Sequence, residues 1–153
     1  MRSRPASRRV VGLIALLTLA LGGCKSQVTG PLEELSTARA RWSISAPASY
    51  TFVVARSCEC LAEMAGPVVV SVRNRLAESR HYTGTGVEVP ASYAGNFPTI
   101  EAIFAVIDAA VRDGTQPIDV QYDPALGYPT RVSLGDTSAD GGTLFFVSQL
   151  RAQ

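Results

Sequence analysis

Histidine is almost missing from this 153-residue chain: His81 is the only one, accompanied by one tryptophan, two methionines and three cysteines. So few soft or imidazole donors leave little for metal ligation, since only His81 and Met64 are there to supplement the cysteines. Nothing supports His81 as a general base either. The chain has no Gly-x-Ser-x-Gly elbow and no Cys-Gly-x-Cys-Trp-like site. Flanked by Arg80 and Tyr82, His81 is expected on a solvated strand edge. A dinucleotide fingerprint is absent too, because Gly84-Thr85-Gly86 lacks a third glycine, a preceding strand and a following helix. Asp136, Asp140 and Gly141 lack the alternating ligands and the closing acid of a calcium loop, and a hairpin turn accounts for them. No metal and no cofactor is therefore expected.

Charge of either sign is also scarce. The 14 basic residues nearly balance the 13 acidic ones. Four of the arginines (Arg2, Arg4, Arg8 and Arg9) lie at the extreme N-terminus. Without them, residues 24–153 carry ten basic and thirteen acidic groups, a net charge of −3. No basic patch remains of the kind that nucleic-acid binding requires.

What the N-terminus does contain is a targeting pattern. A basic start precedes an apolar run over residues 10–21, shorter than the ~20 residues of a membrane span and ending in small residues. Leu21-Gly22-Gly23-Cys24 resembles the lipobox of bacterial lipoproteins, which implies a signal peptide over 1–23 and acyl chains such as palmitate on Cys24. The expected partner of that end is a membrane. Residue 25 is Lys rather than the Asp of an inner-membrane retention signal. The expected location is thus the outer membrane facing the periplasm in a diderm cell, and otherwise the outer face of the cell membrane. Residues 24–30 form a polar tether of at most a few nanometres, at ~3.3–3.6 Å per extended residue.

Residues 31–153 are expected to form one domain, long enough to bury a single core. Pro31 suits the first position of a helix, with Glu33 and Glu34 in its first turn and Arg39 and Arg41 in its last. Leu32, Leu35, Ala38 and Trp42 share one face. Tyr50, Phe52 and Val54 alternate as in a strand, residues 68–72 form a second, and 76–82 a charged edge strand after a turn at Asn74-Arg75. Residues 83–96 have little periodicity and are expected as a long loop. Thr99 caps a second helix whose stripe is Ile100, Ile103, Phe104, Ile107 and Val111, closed by Gly114. Strands over 118–122, 130–134 and 143–150 complete the chain, with a turn at residues 140–142. Residues 118–136 look like the stretch around which the rest is organised. The class is α+β: an antiparallel sheet of about five to six strands with two helices packed on one face.

Trp42, Tyr50-Thr51-Phe52, Cys58-Glu59-Cys60, residues 67–72, Thr99-Ile100 with Phe104, and Tyr122-Asp123-Pro124 with Gly127-Tyr128-Pro129-Thr130 resemble DUF6174, a family of secreted bacterial domains of unknown function. The resemblance spans nearly all of the chain after residue 30. It implies a small secreted or lipid-anchored domain and carries no activity and no catalytic residues with it.

Two sets of residues remain as candidates for function. Cys58 and Cys60, exported into an oxidising compartment, can form a local disulfide, a soft-metal pair for Cu(I), a redox couple or inert thiols. Tyr122, Asp123, Tyr128 and Arg131 either make an aromatic binding surface or staple a hairpin to the sheet. The leading expectation is a non-enzymatic domain that binds another envelope protein or a wall component.

Overall fold

The computed structural model describes residues 30–137 and 141–153. The apolar run over 10–21, Cys24, the tether up to residue 29, and Ser138 and Asp140 of the last turn lie outside the described residues.

Helix α1 (Pro31–Ser45) starts at the proline and buries Leu35, Ala38 and Trp42. It runs further than Arg39 and Arg41 suggest, so no basic residue occupies its last turn. Leu32, expected on the same face, stays 60% exposed. Strand β1 (Ser49–Ser57) alternates as expected, with Tyr50, Phe52 and Val54 buried. A four-residue helix α2 (Ala62–Ala65) interrupts the route to β2 (Val68–Arg73), and an Asn74-Arg75 turn leads into β3 (Leu76–Tyr82). Both turn residues adopt the left-handed conformation, φ +50° and +66°, which matches the twist of a two-residue hairpin.

The segment expected as a loop is more ordered than its composition suggests. Val89 and Phe97 are buried, residues 94–96 form a 3₁₀ turn, and His81 makes a backbone bridge with Glu88. Two apolar anchors are enough to fold this segment back over the sheet edge without a periodic pattern. Helix α3 (Ile100–Arg112) follows, with the Thr99 hydroxyl accepting from Ala102 N at 3.3 Å and Gly114 at φ +70° after its end. Strands β4 (Ile118–Tyr122), β5 (Pro129–Leu134) and β6 (Thr143–Ala152) complete the fold.

All six strands make one antiparallel sheet in the order β3-β2-β1-β6-β5-β4. The molecule is thus two meanders, β1–β3 and β4–β6, each preceded by a helix and joined where β6 pairs with β1. The 118–136 stretch lies at the far edge, not at the centre. The chain is organised around the β1–β6 pair, the two strands whose neighbours come one from each meander. That arrangement depends on a pairing between residues almost a hundred positions apart, which local pattern cannot encode.

The core lies between one face of the sheet and the helices α1 and α3. Tyr50, Phe52 and Val54, then Val68, Val70 and Val72, then Phe145 and Val147 meet Trp42, Ile100, Ile103 and Ile107 there. Among the described residues no helix is long and apolar enough to cross a membrane.

Candidate functional site

The one buried tryptophan sits where the two helices and β1 meet. Trp42 packs edge-on against Tyr50, centroids 5.4 Å apart at 89°, and against Tyr128 at 5.9 Å. Aromatic side chains this deep need partners for their polar tips. Glu101, in the first turn of α3, supplies both. Its Oε1 accepts from Trp42 Nε1 at 3.2 Å and its Oε2 accepts from Tyr50 OH at 2.9 Å. Burial, reinforced by the Glu101 charge and hydrogen bond, holds the Tyr50 hydroxyl well above its ordinary range. Tyr50 is therefore a donor here and not a base, and both carboxylate oxygens of Glu101 are engaged.

A cleft of about 370 Å³ opens above this trio, lined by Arg39, Trp42, Arg75, Glu101, Phe104 and Asp108 among others. Arg39 is committed within it, donating to the Phe104 carbonyl at 2.8 Å with its guanidinium over the Phe104 ring. The arrangement joins α1, α3 and β1 through polar bonds. It holds no free nucleophile beside a base.

Nothing local marks Glu101 as special, because an acid in a first helical turn is already explained by the helix dipole. Its partners lie 51 and 59 positions away. Only the pairing of two aromatic polar tips with one carboxylate could have indicated it.

The residues considered as a binding surface are divided by the structure. Tyr128 is buried against Trp42, and Tyr122 is half-buried, stacked on Phe104 at 6.3 Å. Burial and the nearby Glu34 charge push the Tyr122 hydroxyl up to about 12. Asp123 Oδ1 accepts from the Ala125 and Leu126 amides at 3.0 and 2.7 Å, closing the turn. Arg131 points to the opposite face of the sheet, where it pairs with Asp119. Two tyrosines thus brace the helices, the aspartate shapes a loop, and the arginine joins Asp119 on the opposite side of the sheet.

Among the described residues no helix covers that side, which is the second feature of interest. By register, Val69, Val53, Ala55, Phe146 and Leu144 form an apolar band across β2, β1 and β6. Ser71, Thr51, Ser148, Arg131 and Asp119 surround it. Phe146 is 44% exposed although β6 is a central strand.

Cys58 and Cys60 are joined to each other in a disulfide. The pair is consequently not the thiolate set that a soft metal requires, and of the alternatives open to these cysteines the soft-metal pair is ruled out. Among the described residues no group of three or more His, Cys, Asp or Glu side chains could hold a metal ion. A bridge across one residue contributes little to the fold, about 1.6 kcal/mol in the chain-entropy account against ~3 kcal/mol for a fifteen-residue loop.

Neither a curated protein nor a solved structure matches the chain. A family model does, over residues 34–152, from the first turn of α1 to the end of β6. Its span takes in Trp42, Tyr50, Glu101, the disulfide and the whole sheet. The chain belongs to DUF6174, a family of unknown function.

Proposed function

We propose that this is a lipid-anchored cell-envelope protein whose domain binds another protein through the uncovered face of its sheet. The observation that carries the reading is Phe146, an aromatic 44% exposed at the centre of a sheet whose other face alone is covered by helices among the described residues. An apolar, aromatic centre ringed by serine, threonine and one Arg–Asp pair has the anatomy of a protein interface. The lipobox-like Leu21-Gly22-Gly23-Cys24 supports the anchor, and the short tether keeps the domain beside the membrane, where envelope proteins are at hand. The net charge of −3 after residue 23 favours a protein over an anionic lipid surface as occupant of this face.

The test uses the full chain expressed in a bacterial envelope, with a photo-reactive residue placed at position 146 or, on the helix-covered side, at Ala105. A discrete protein adduct at 146 and none at 105 is the expected result. Equal labelling at both sites, or none at 146, would refute the interface. The anchor is read separately: Cys24→Ser should abolish labelling by radioactive palmitate and move the protein from the membrane to the soluble fraction. Retention in the membrane would overturn that half alone.

A further inference from the structure

The disulfide is placed where a structural brace is least useful. It follows directly on β1, with Cys58 exposed and Cys60 partly so, and neither sulfur belongs to the core, whose last β1 member is Val54. It spans only Glu59, so it ties together no two elements of the fold. The three residues that follow it are exposed. Leu61, the first of them, is 60% exposed. A shallow groove of about 370 Å³ begins one residue later, walled by Ala62, Gly66, Pro67 and Tyr82. An accessible bridge beside an apolar shelf suits an extended, unfolded segment better than it suits a brace, and exposed disulfides are the labile ones.

We propose that Cys58–Cys60 is a thiol–disulfide exchange centre that oxidises dithiols in unfolded exported polypeptides. A thiolate of the substrate attacks one sulfur of the bridge. A mixed disulfide forms, and the other cysteine leaves as a thiolate that takes a proton from water. The second substrate thiolate then attacks the substrate sulfur of the mixed disulfide. The substrate leaves with its own disulfide, and the remaining cysteine is released and protonated. Two electrons pass from the substrate dithiol to this chain; the substrate loses two protons and the chain gains two. The step uses none of the sheet face discussed above and stands or falls independently of it.

The experiment takes the full oxidised chain in detergent and a reduced, unstructured peptide carrying two cysteines. Peptide oxidation should run about tenfold faster than with equimolar oxidised glutathione. The Cys58→Ser, Cys60→Ser double variant, which retains Cys24, should fall to background. One of the two single variants should accumulate a mixed disulfide with the peptide that mass spectrometry detects. Reducing the wild type should lower its thermal midpoint by no more than about six degrees and leave it folded. A rate equal to that of the double variant would overturn the proposal. So would loss of the fold on reduction, which would make the bridge a structural brace.

Discussion

Gly127 lies against helix α1 so closely that a Cβ built on it would stand 2.5 Å from the Ala38 carbonyl oxygen, at a backbone φ of +84°. Two demands therefore coincide at one residue: a left-handed turn conformation and the absence of a side chain. Gly127→Ala should destabilise the domain by roughly 3 kcal/mol, from strain and overpacking together. Gly84, with open space around it, is the control, and Gly84→Ala should change stability by less than ~0.5 kcal/mol. Urea denaturation of both variants checks the pair; equal effects would contradict the packing described here.

Glu101 satisfies two aromatic donors at once. Glu101→Ala leaves the Trp42 and Tyr50 tips without their acceptor and should cost about 2 kcal/mol. Glu101→Gln keeps one acceptor oxygen and should cost about half as much. Because Trp42 is the only tryptophan, its fluorescence reports directly on this site during unfolding.

The tyrosines make the fold sensitive to alkali. Burial holds Tyr50 above its ordinary range and Tyr122 at about 12 in the folded state. A folded value raised above the unfolded one favours the folded, protonated state. That stability is complete below the unfolded value of about 10 and is lost as pH climbs through the folded value. Thermal midpoints should hold level up to about pH 10 and then fall towards pH 12, with a shallower fall in Tyr122→Phe. A wild-type midpoint that stayed level to pH 12 would contradict the raised values.

Phe145 and Phe146 are neighbours in sequence on opposite faces of β6, one 5% and the other 44% exposed. Phe145→Ala should cost about 3–5 kcal/mol, and Phe146→Ala should remain within about 0.5 kcal/mol. If the uncovered face binds a partner, Phe146→Asp should abolish the complex while leaving the melting temperature unchanged. Co-purification and calorimetry on the same sample separate the two effects.

Thr99 caps the most strongly patterned helix. Removing its hydroxyl with Thr99→Ala should cost about 1 kcal/mol, measurable as a shift in the denaturation midpoint.

Much of this architecture is written locally. Thr99, the Ile100–Ile107 stripe and Gly114 specify α3 through capping, periodicity and a left-handed stop, none of which needs a distant partner. Tyr50-Phe52-Val54 and Ile118–Tyr122 alternate because one sheet face is covered and the other is not. The α+β class and the antiparallel sheet follow from those elements, and so does the family, whose residues lie in the same segments. Residues 83–96 carry no such local pattern, since Val89 within the segment and Phe97 just after it are the buried anchors that hold it in place.

Three relationships belong to the tertiary structure alone. Strand β6 enters between β1 and β5, which displaces the Tyr122–Tyr128 hairpin from the centre of the sheet to its edge. Glu101 meets Trp42 and Tyr50 across more than fifty residues. The candidate aromatic surface splits, with Tyr122 and Tyr128 facing the helices and Arg131 facing away. The physical reason is common to all three. Local sequence sets which side chains share a face of each element, whereas the order in which elements pair is set by long-range burial. That burial decides which of those faces is covered and which is left open.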